Sequence, residues 1–411
     1  MLTARRYRLH LTPDQAAYAE QIGNACRDVW NTALEQRRIY RQRGAWMNYV
    51  PQARELAEAK AEVPWLAEVP GHCLQQTLMD LDKACRAHGT FAVHWRSKAR
   101  WAPSFRFPEG AKMTVERLNK SHARARLPKL GWVKFRYSRP IGGQIRSATV
   151  SLRAGHWYIS LLVEDGEIPR ETHAKPDTAV GVDRGVVVAV ATSEADLFDR
   201  EFASAGEIEH RRRLQQRLAR SKKGSGNRKK TVALLAKAHR APVDRRADFC
   251  AQAAHVLAET YAVVVIEDLK AKNMTASAKG TLAEPGRNVT QKSGLNRAIL
   301  DKGWHKFELA LRSASRYTGT EVKKVPAAYT SQRCNRCGHV DAKSRESQAK
   351  FACTACAHTE HADVNAAKNI LAAGLAVTAC GDLGVARSMK QEPARPQGKA
   401  HRPVRAGIPR L

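Results

Sequence analysis

The sequence predicts a multidomain α+β protein, and three observations carry that expectation. The chain has 411 residues, more than one core usually serves, since single cores stop growing beyond ~250–300 residues. Its hydrophobic period changes along the chain, from helical to strand-like and then to a mixture of both. Near the end, four cysteines stand in two closely spaced pairs, as they do in small metal-held units.

Charge narrows the function classes. Seventy Lys+Arg against 39 Asp+Glu give a net charge of +31, which argues against an ordinary metabolic enzyme and for a polyanionic partner, most often nucleic acid. At 43% hydrophobic residues the chain can build packed cores. No membrane partner is expected: the longest weakly polar run, Ile370 to Cys380, is 11 residues, short of the ~20 a bilayer requires. The opening Met1-Leu-Thr-Ala-Arg-Arg-Tyr7 lacks the apolar stretch of a signal peptide. A cytoplasmic location follows, in a prokaryotic cytosol or nucleoid, and the nine cysteines are not read as disulfides.

The elements follow in order. Thr12-Pro13-Asp14-Gln15 offers an N-cap hydroxyl, proline at the first helical position and glutamine at the third. Ala19, Ile22, Cys26, Val29, Ala33 and Leu34 then recur at a helical period until Gly44. Helices are expected over Gln52 to Glu62 and His72 to His88, separated by Pro64 and Pro70. From Phe105 the period becomes two. Arg124 to Leu127, Trp132 to Tyr137, Ala148 to Leu152 and Trp157 to Leu161 alternate as half-buried strands of an antiparallel barrel or sandwich. Arg5 to Leu11 also alternates and is expected as an edge strand of the same sheet, which makes the helices an insertion.

A third pattern starts near Pro176. Strands are expected at Val180 to Asp183, Val186 to Ala191, Phe198 to Phe202, Tyr261 to Ile266 and Glu321 to Val325. Helices are expected over Glu207 to Glu259, Leu295 to Tyr317 and Asp363 to Leu375. By analogy, that order is the one found in RNase H-like α/β domains. Ala271 to Arg297 reads as a loop or lid, and Ala386 to Leu411 as a disordered basic tail.

Three constellations carry chemistry. Cys334-Asn-Arg-Cys337 and Cys353-Thr-Ala-Cys356 are spaced as a four-thiolate zinc site. Such a closed cage makes the metal structural. Asp183 and Glu267 each end a buried strand, and Asp363 opens a helix just after the second cysteine pair. Each alone has an ordinary explanation, as a strand end or a helix cap. Together, at neighbouring strand ends, they would repel one another without a cation, and with divalent ions they could cleave a phosphodiester. Between Arg211 and Arg246 stand 14 Lys/Arg and one acid, Asp244. Within this stretch Arg213, Arg217, Arg220, Lys222, Lys223, Arg228, Lys229 and Lys230 are the candidate phosphate contacts.

The combination resembles the TnpB family of insertion-sequence-encoded nucleases, relatives of the compact type V CRISPR effectors. The resemblance runs from the amino terminus to about residue 385. It is carried by Leu11-Thr-Pro-Asp-Gln15, Leu127-Pro-Lys-Leu-Gly131, Val180-Gly-Val-Asp-Arg-Gly185 and Val265-Ile-Glu-Asp-Leu269. Tyr329-Thr-Ser-Gln-Arg-Cys-Asn-Arg-Cys-Gly338 and His361-Ala-Asp-Val-Asn-Ala-Ala-Lys-Asn-Ile370 complete it. The resemblance implies an RNase H-like (RuvC) α/β nuclease domain with an inserted zinc ribbon, a β-barrel wedge domain and a helical recognition lobe. The implied boundaries are 1–12 with 105–176 for the wedge, 13–104 for the helical lobe, 177–330 with 362–385 for the nuclease domain, 331–361 for the ribbon and 386–411 for the tail. It also implies catalytic metal ligation by Asp183, Glu267 and Asp363, with two Mg²⁺ ions, and one structural Zn²⁺. The implied partners are a guide RNA and target double-stranded DNA, recognised by a monomer in a ribonucleoprotein.

Two departures from the family pattern stand out. His361-Ala362 replaces an acidic-basic pair before the third acid, and Pro242 falls where relatives continue a helix, so a kink or break is expected there. The alternatives are a compact type V CRISPR effector of the same ancestry, a non-catalytic RNA- or DNA-binding zinc-ribbon protein, and a cut-and-paste transposase, which also uses an acidic triad.

Overall fold

A computed structural model of the chain describes residues 1–98, 101–281 and 284–379. The tail expected at 386–411 and Cys380 lie outside the described residues. The amino-terminal part is one packed unit. Strand β1 (Leu2–His10) leads into helices α1 (Pro13–Gln42), α2 (Tyr49–Glu62), α3 (Pro64–Glu68) and α4 (Gly71–His88). Six strands follow: β2 (Ser104–Phe107), β3 (Thr114–Arg117), β4 (His122–Leu127), β5 (Gly131–Arg136), β6 (Gln144–Arg153) and β7 (His156–Glu164).

The capping box at Thr12 and Gln15 forms in both directions and fixes the start of α1. The strands make one sheet in the order β2-β6-β7-β1-β5-β4-β3. All its pairs are antiparallel, and the order is linear with β2 and β3 at its ends. Strand β1 is interior, not an edge strand: seven of its residues pair with β7, and Leu9 and His10 pair with β5. Its alternation buries Tyr7 and Leu9 in the core that the sheet shares with the helices, and its far end passes from pairing with β7 to pairing with β5. One continuous core joins Ile22, Leu34, Leu74 and Leu81 of the helices to Phe105, Phe135, Ile159 and Leu161 of the sheet.

The second unit is a five-stranded sheet in the order β10-β9-β8-β11-β12. Strands β8 (Ala179–Asp183), β9 (Val190–Thr192) and β10 (Leu197–Phe198) form an antiparallel meander. After helices α5 (Ala205–Arg220) and α6 (Gly226–Thr260), strand β11 (Val263–Glu267) returns parallel to β8. Then α7 (Ala271–Met274), α8 (Val289–Lys302) and α9 (Trp304–Thr318) precede β12 (Glu321–Val325), parallel to β11. Strands β13 (Lys350–Ala352) and β14 (Thr359–His361) form a small hairpin before helix α10 (Ala362–Ala379).

Alternation along the strands sorts the layers. Val180, Val182, Val264 and Ile266 face α6 and α9 through Phe249, Leu257, Phe307 and Leu311. Val265 and Val325 face Ile370 of α10 on the other side.

Besides the place of β1, further sequence expectations change, and the strand expected at 198–202 is confined to Leu197–Phe198. The strand expected at 186–191 begins only at Val190. Residues before it form a loop held by Trp304 Nε1 on Gly185 O (3.1 Å) and by Ala189 N on Asp199 Oδ1 (3.2 Å). The helix expected over 207–259 divides at 221–225, where the Gly-Ser sequence lets the chain turn. Pro242 sits inside α6 without breaking it. Part of the loop expected at 271–297 is helical: α8 begins at Val289, and Gly303, at φ +75°, separates it from α9.

Candidate active site and metal centre

Strands β8 and β11 pair in register through Val182 and Ile266, so Asp183 and Glu267, one step on, end neighbouring parallel strands together. Asp183 shares its face with Gly181, and Glu267 shares its face with Val265. That face is the one covered by α10. The helix lies close because Gly181 lacks a side chain. A Cβ there would sit 2.0 Å from Ala367 O. The approach brings Asp363, in the first turn of α10, against the loop after β8, where a Cβ on Gly185 would lie 3.3 Å from Asp363 Oδ2. The three acids named from sequence are therefore brought to one place, and all are buried.

Their electrostatics follow from burial. The Asp183 carboxyl is pushed up to about 7, first by loss of water and then by the charges of Glu267 and Asp363, with Arg345 opposing. Burial also raises Glu267, against a Thr330 hydroxyl that donates to its Oε1 at 2.5 Å and against the charges of Arg184 and Arg345. Arg345 Nη2 donates to Asp363 Oδ1 at 2.9 Å. Buried, mutually repelling carboxylate oxygens are the donor set of a hard divalent cation. They are less converged than the cysteines: among the described residues, only the four cysteines form a group of three or more potential ligands within 4.8 Å of one another.

The opposite face of the same strand ends carries different chemistry. Arg184 donates to Glu267 O and lies 3.7 Å from Glu308 of α9. Lys324 binds both Glu308 (2.8 Å) and Asp268 (3.2 Å). Asp268 thus points away from Glu267, as strand alternation requires.

The cage is local. Cys334 N donates to His339 O and Cys353 N donates to His358 O, both at 2.8 Å, so each pair sits on a tight turn. Sγ atoms are 3.7 Å apart for Cys334 and Cys356, and 3.6 Å apart for Cys337 and Cys353. A tetrahedron with ~2.3 Å metal–sulfur bonds has edges of ~3.8 Å, so the cluster could hold a zinc ion. All four are free cysteines, and backbone N–H groups of Cys356 and Ala355 hold the Cys353 thiol down at about 6.

The cage and the carboxylates share supports. Asn365 Oδ1 accepts from Asn335 N (3.0 Å), and its Nδ2 donates to Arg333 O (2.8 Å). Asn369 donates to Thr330 O (3.0 Å) and Arg333 O (2.6 Å). Helix α10 therefore clamps the first cysteine turn while presenting Asp363. Sequence reasoning quoted Thr330, Asn365 and Asn369 within motifs but gave them no role. Arg345, between the cysteine pairs, carried no spacing signal at all.

Of the eight basic candidates, Arg213, Arg217, Arg220, Lys222, Lys223, Lys229 and Lys230 are exposed on the α5–α6 hairpin. Arg228 is half-buried and donates to Leu218 O (2.7 Å) and Ser221 O (3.2 Å), capping α5.

Comparison with known proteins places these parts. A helix-turn-helix domain model of the IS605 OrfB type matches residues 1–45, although those residues fold as a strand and one long helix. A probable transposase model of the same type matches residues 160–278, and the TNB domain of Cas12f1-like proteins matches 304–370. The putative RNA-guided DNA endonuclease InsQ of Escherichia coli (strain K12) is 38% identical over 95% of this chain and 97% of its own length. A putative RNA-guided DNA endonuclease of Streptomyces pristinaespiralis is 31% identical over 99% and 98%. The fold is similar to that of Cas12f1 in a Cas12f1-sgRNA-target DNA complex, at TM-score 0.56 and 15% identity over 88% of this chain and 83% of that one.

Proposed function

The chain belongs to the TnpB family, and from that membership and the site's geometry we propose that it is an RNA-guided DNA endonuclease. It takes a guide RNA and cleaves target double-stranded DNA by phosphodiester hydrolysis. The observation that carries this reading is the meeting of Asp183, Glu267 and Asp363 on one sheet face in a chain of net charge +31.

In this reading the second unit is a RuvC-type, RNase H-like nuclease domain. The meander followed by two parallel crossovers supports it. Residues 331–361 form a zinc ribbon, the seven-stranded sheet serves as the wedge and α1–α4 as the recognition lobe. Asp183, Glu267 and Asp363 would hold Mg²⁺, which supplies charge neutralisation and an activated water for the phosphodiester. Thr330 orients the Glu267 carboxylate through Oε1, and Arg345 balances Asp363. Asp183 must release its proton before it can bind a cation. The exposed Lys and Arg side chains of the α5–α6 hairpin track phosphates and set affinity, while base pairing to the guide reads sequence. Among the described residues no helix is long and apolar enough to cross a membrane, which fits the cytoplasmic location of this reading.

The test is to purify the protein at moderate salt and sequence the RNA that stays with it. One dominant structured RNA that directs Mg²⁺-dependent cleavage of a matched duplex is the expected result. Heterogeneous RNA lost on raising the salt, with no matched cleavage, would refute the reading.

A further inference from the structure

One end of the helical lobe combines basic charge with exposed aromatic rings that the catalytic reading does not use. Residues 37–48 and 83–101 contain nine Lys/Arg and no acid. Two of these are spent internally, since Arg37 and Arg86 both pair with Asp82. Arg96 packs against Trp30, while Arg38, Arg41, Arg43, Lys83 and Lys98 accompany Tyr40, Trp46, Phe91 and Trp95, all four rings strongly exposed, with Trp46 at 52% and Trp95 at 43%. The apolar groove between α1, α2 and α3 differs sharply: Asp28, Glu55 and Trp65 line it, with no Lys or Arg. The aromatic end is therefore suited to a polyanion in a way the groove is not.

The rings are held in place. Asn31 of α1 bonds the Arg96 backbone in both directions, Nδ2 to O at 3.2 Å and Oδ1 from N at 2.9 Å. Trp30 Nε1 donates to His94 O (3.2 Å), and Arg38 Nη2 donates to Val93 O (2.8 Å). The strand of chain carrying Trp95 is thus pinned to α1 at four points. Each exposed indole also lies under a guanidinium: Arg38 is 5.2 Å from the Trp95 ring centre, and Arg41 is 4.6 Å from that of Trp46. Arg38 and Arg41 are three residues apart on α1, so the two stacks are neighbours on one helix face. Arg96 fills a similar role internally, against Trp30 at 3.8 Å and Trp101 at 5.5 Å.

We propose that Trp46 and Trp95, backed by Arg41 and Arg38, form a platform for the unpaired bases of a single nucleic-acid strand. Phosphate binding alone needs only the cations. Two half-exposed indoles, each backed by a guanidinium, add a surface for flat rings, and duplex bases, already stacked on each other, cannot use it. The segment carrying Trp95 is already pinned to α1, so binding there loses little side-chain entropy. A free strand of DNA or of RNA offers the same chemistry.

The test needs no cleavage and so stands apart from the nuclease reading. Full-length protein with its copurified RNA is titrated against labelled thymidine and uridine strands and an abasic strand of equal length. Each Trp→Ala change should weaken thymidine-strand binding about fivefold or more, the low end of ~1–3 kcal/mol per stacked base. The double variant should lose the product of the two, while Trp46→Tyr with Trp95→Phe should restore most of it. The abasic strand should bind wild type weakly and be insensitive to either change. Tighter thymidine or tighter uridine binding assigns the platform to DNA or RNA, and both uphold it. Unchanged thymidine-strand binding in the double variant, or equal binding of abasic and thymidine strands, would overturn it and leave the rings to a protein partner.

Discussion

The thiolate cage and the carboxylate cluster are neighbours, joined through Asn365 and Asn369 of α10, yet they are built in opposite ways. The cage comes from two tight turns 15 residues apart in sequence, and its sulfurs already stand at tetrahedral separation. The cluster comes from residues 183, 267 and 363, and its oxygens remain less converged, with Asp183 pushed up to about 7. Local chain geometry can assemble soft ligands because thiols need not all be ionised before the metal arrives, and so repel little. Three carboxylates can be assembled only by a whole fold, which then bears the cost of their burial.

The largest expected effect separates the two sites by function. Asp183→Ala, Glu267→Gln or Asp363→Asn should each reduce cleavage on the order of 10³-fold or more, since groups sharing one task fail together. Guided DNA binding, measured by gel shift, should survive because the proposed phosphate contacts lie on the α5–α6 hairpin, away from the three acids.

Next, Cys353→Ser should remove the zinc, whose apparent contribution in such sites is ~10–16 kcal/mol. Elemental analysis should fall from one zinc per chain to none. Cleavage should drop steeply, because Arg345 and the Asn365 and Asn369 contacts depend on the ribbon, while much of the RNA binding stays. Native protein without zinc would break the comparison at its cage end.

A smaller effect tests the cost of the carboxylates. The folded Asp183 carboxyl is pushed from its ordinary 3.8 up to about 7, so its ionised form opposes folding. The penalty is absent below pH ~4, grows between 4 and 7, and is complete above 7. Without added divalent metal, Asp183→Asn should therefore be more stable than wild type at pH 8, on the order of 4 kcal/mol by urea denaturation. The gain should vanish near pH 4. A gain that does not change with pH would mean that the cluster is not electrostatically strained.

What the sequence revealed follows the same division. The cage, the capping box at Thr12 and the strand at 321–325 were readable because each is set by residues close in the chain. The central place of β1 was not, because alternation gives a strand's face but not its neighbours. The Val186-Val-Val run looked like a strand, yet it lies in the loop that Trp304 and Asp199 hold, a tertiary override of propensity. The acids were found by their positions at element ends. Arg345 was missed because only the folded ribbon carries it to Asp363. That Arg228 also caps α5, through Leu218 O and Ser221 O, was not legible.

The most direct measurement sets two adjacent acids against each other on opposite faces of one strand end. Cleavage of a matched duplex is measured with protein carrying its own RNA, for wild type, Glu267→Gln and Asp268→Asn. Glu267 faces Asp183 and Asp363, whereas Asp268 faces Lys324 (3.2 Å), an exposed pair worth ~0–1 kcal/mol. The expected result is near-complete loss for Glu267→Gln and a change within about fivefold for Asp268→Asn. Equal losses at the two positions, or full cleavage by Glu267→Gln, would contradict the placement of the active site on the α10 face.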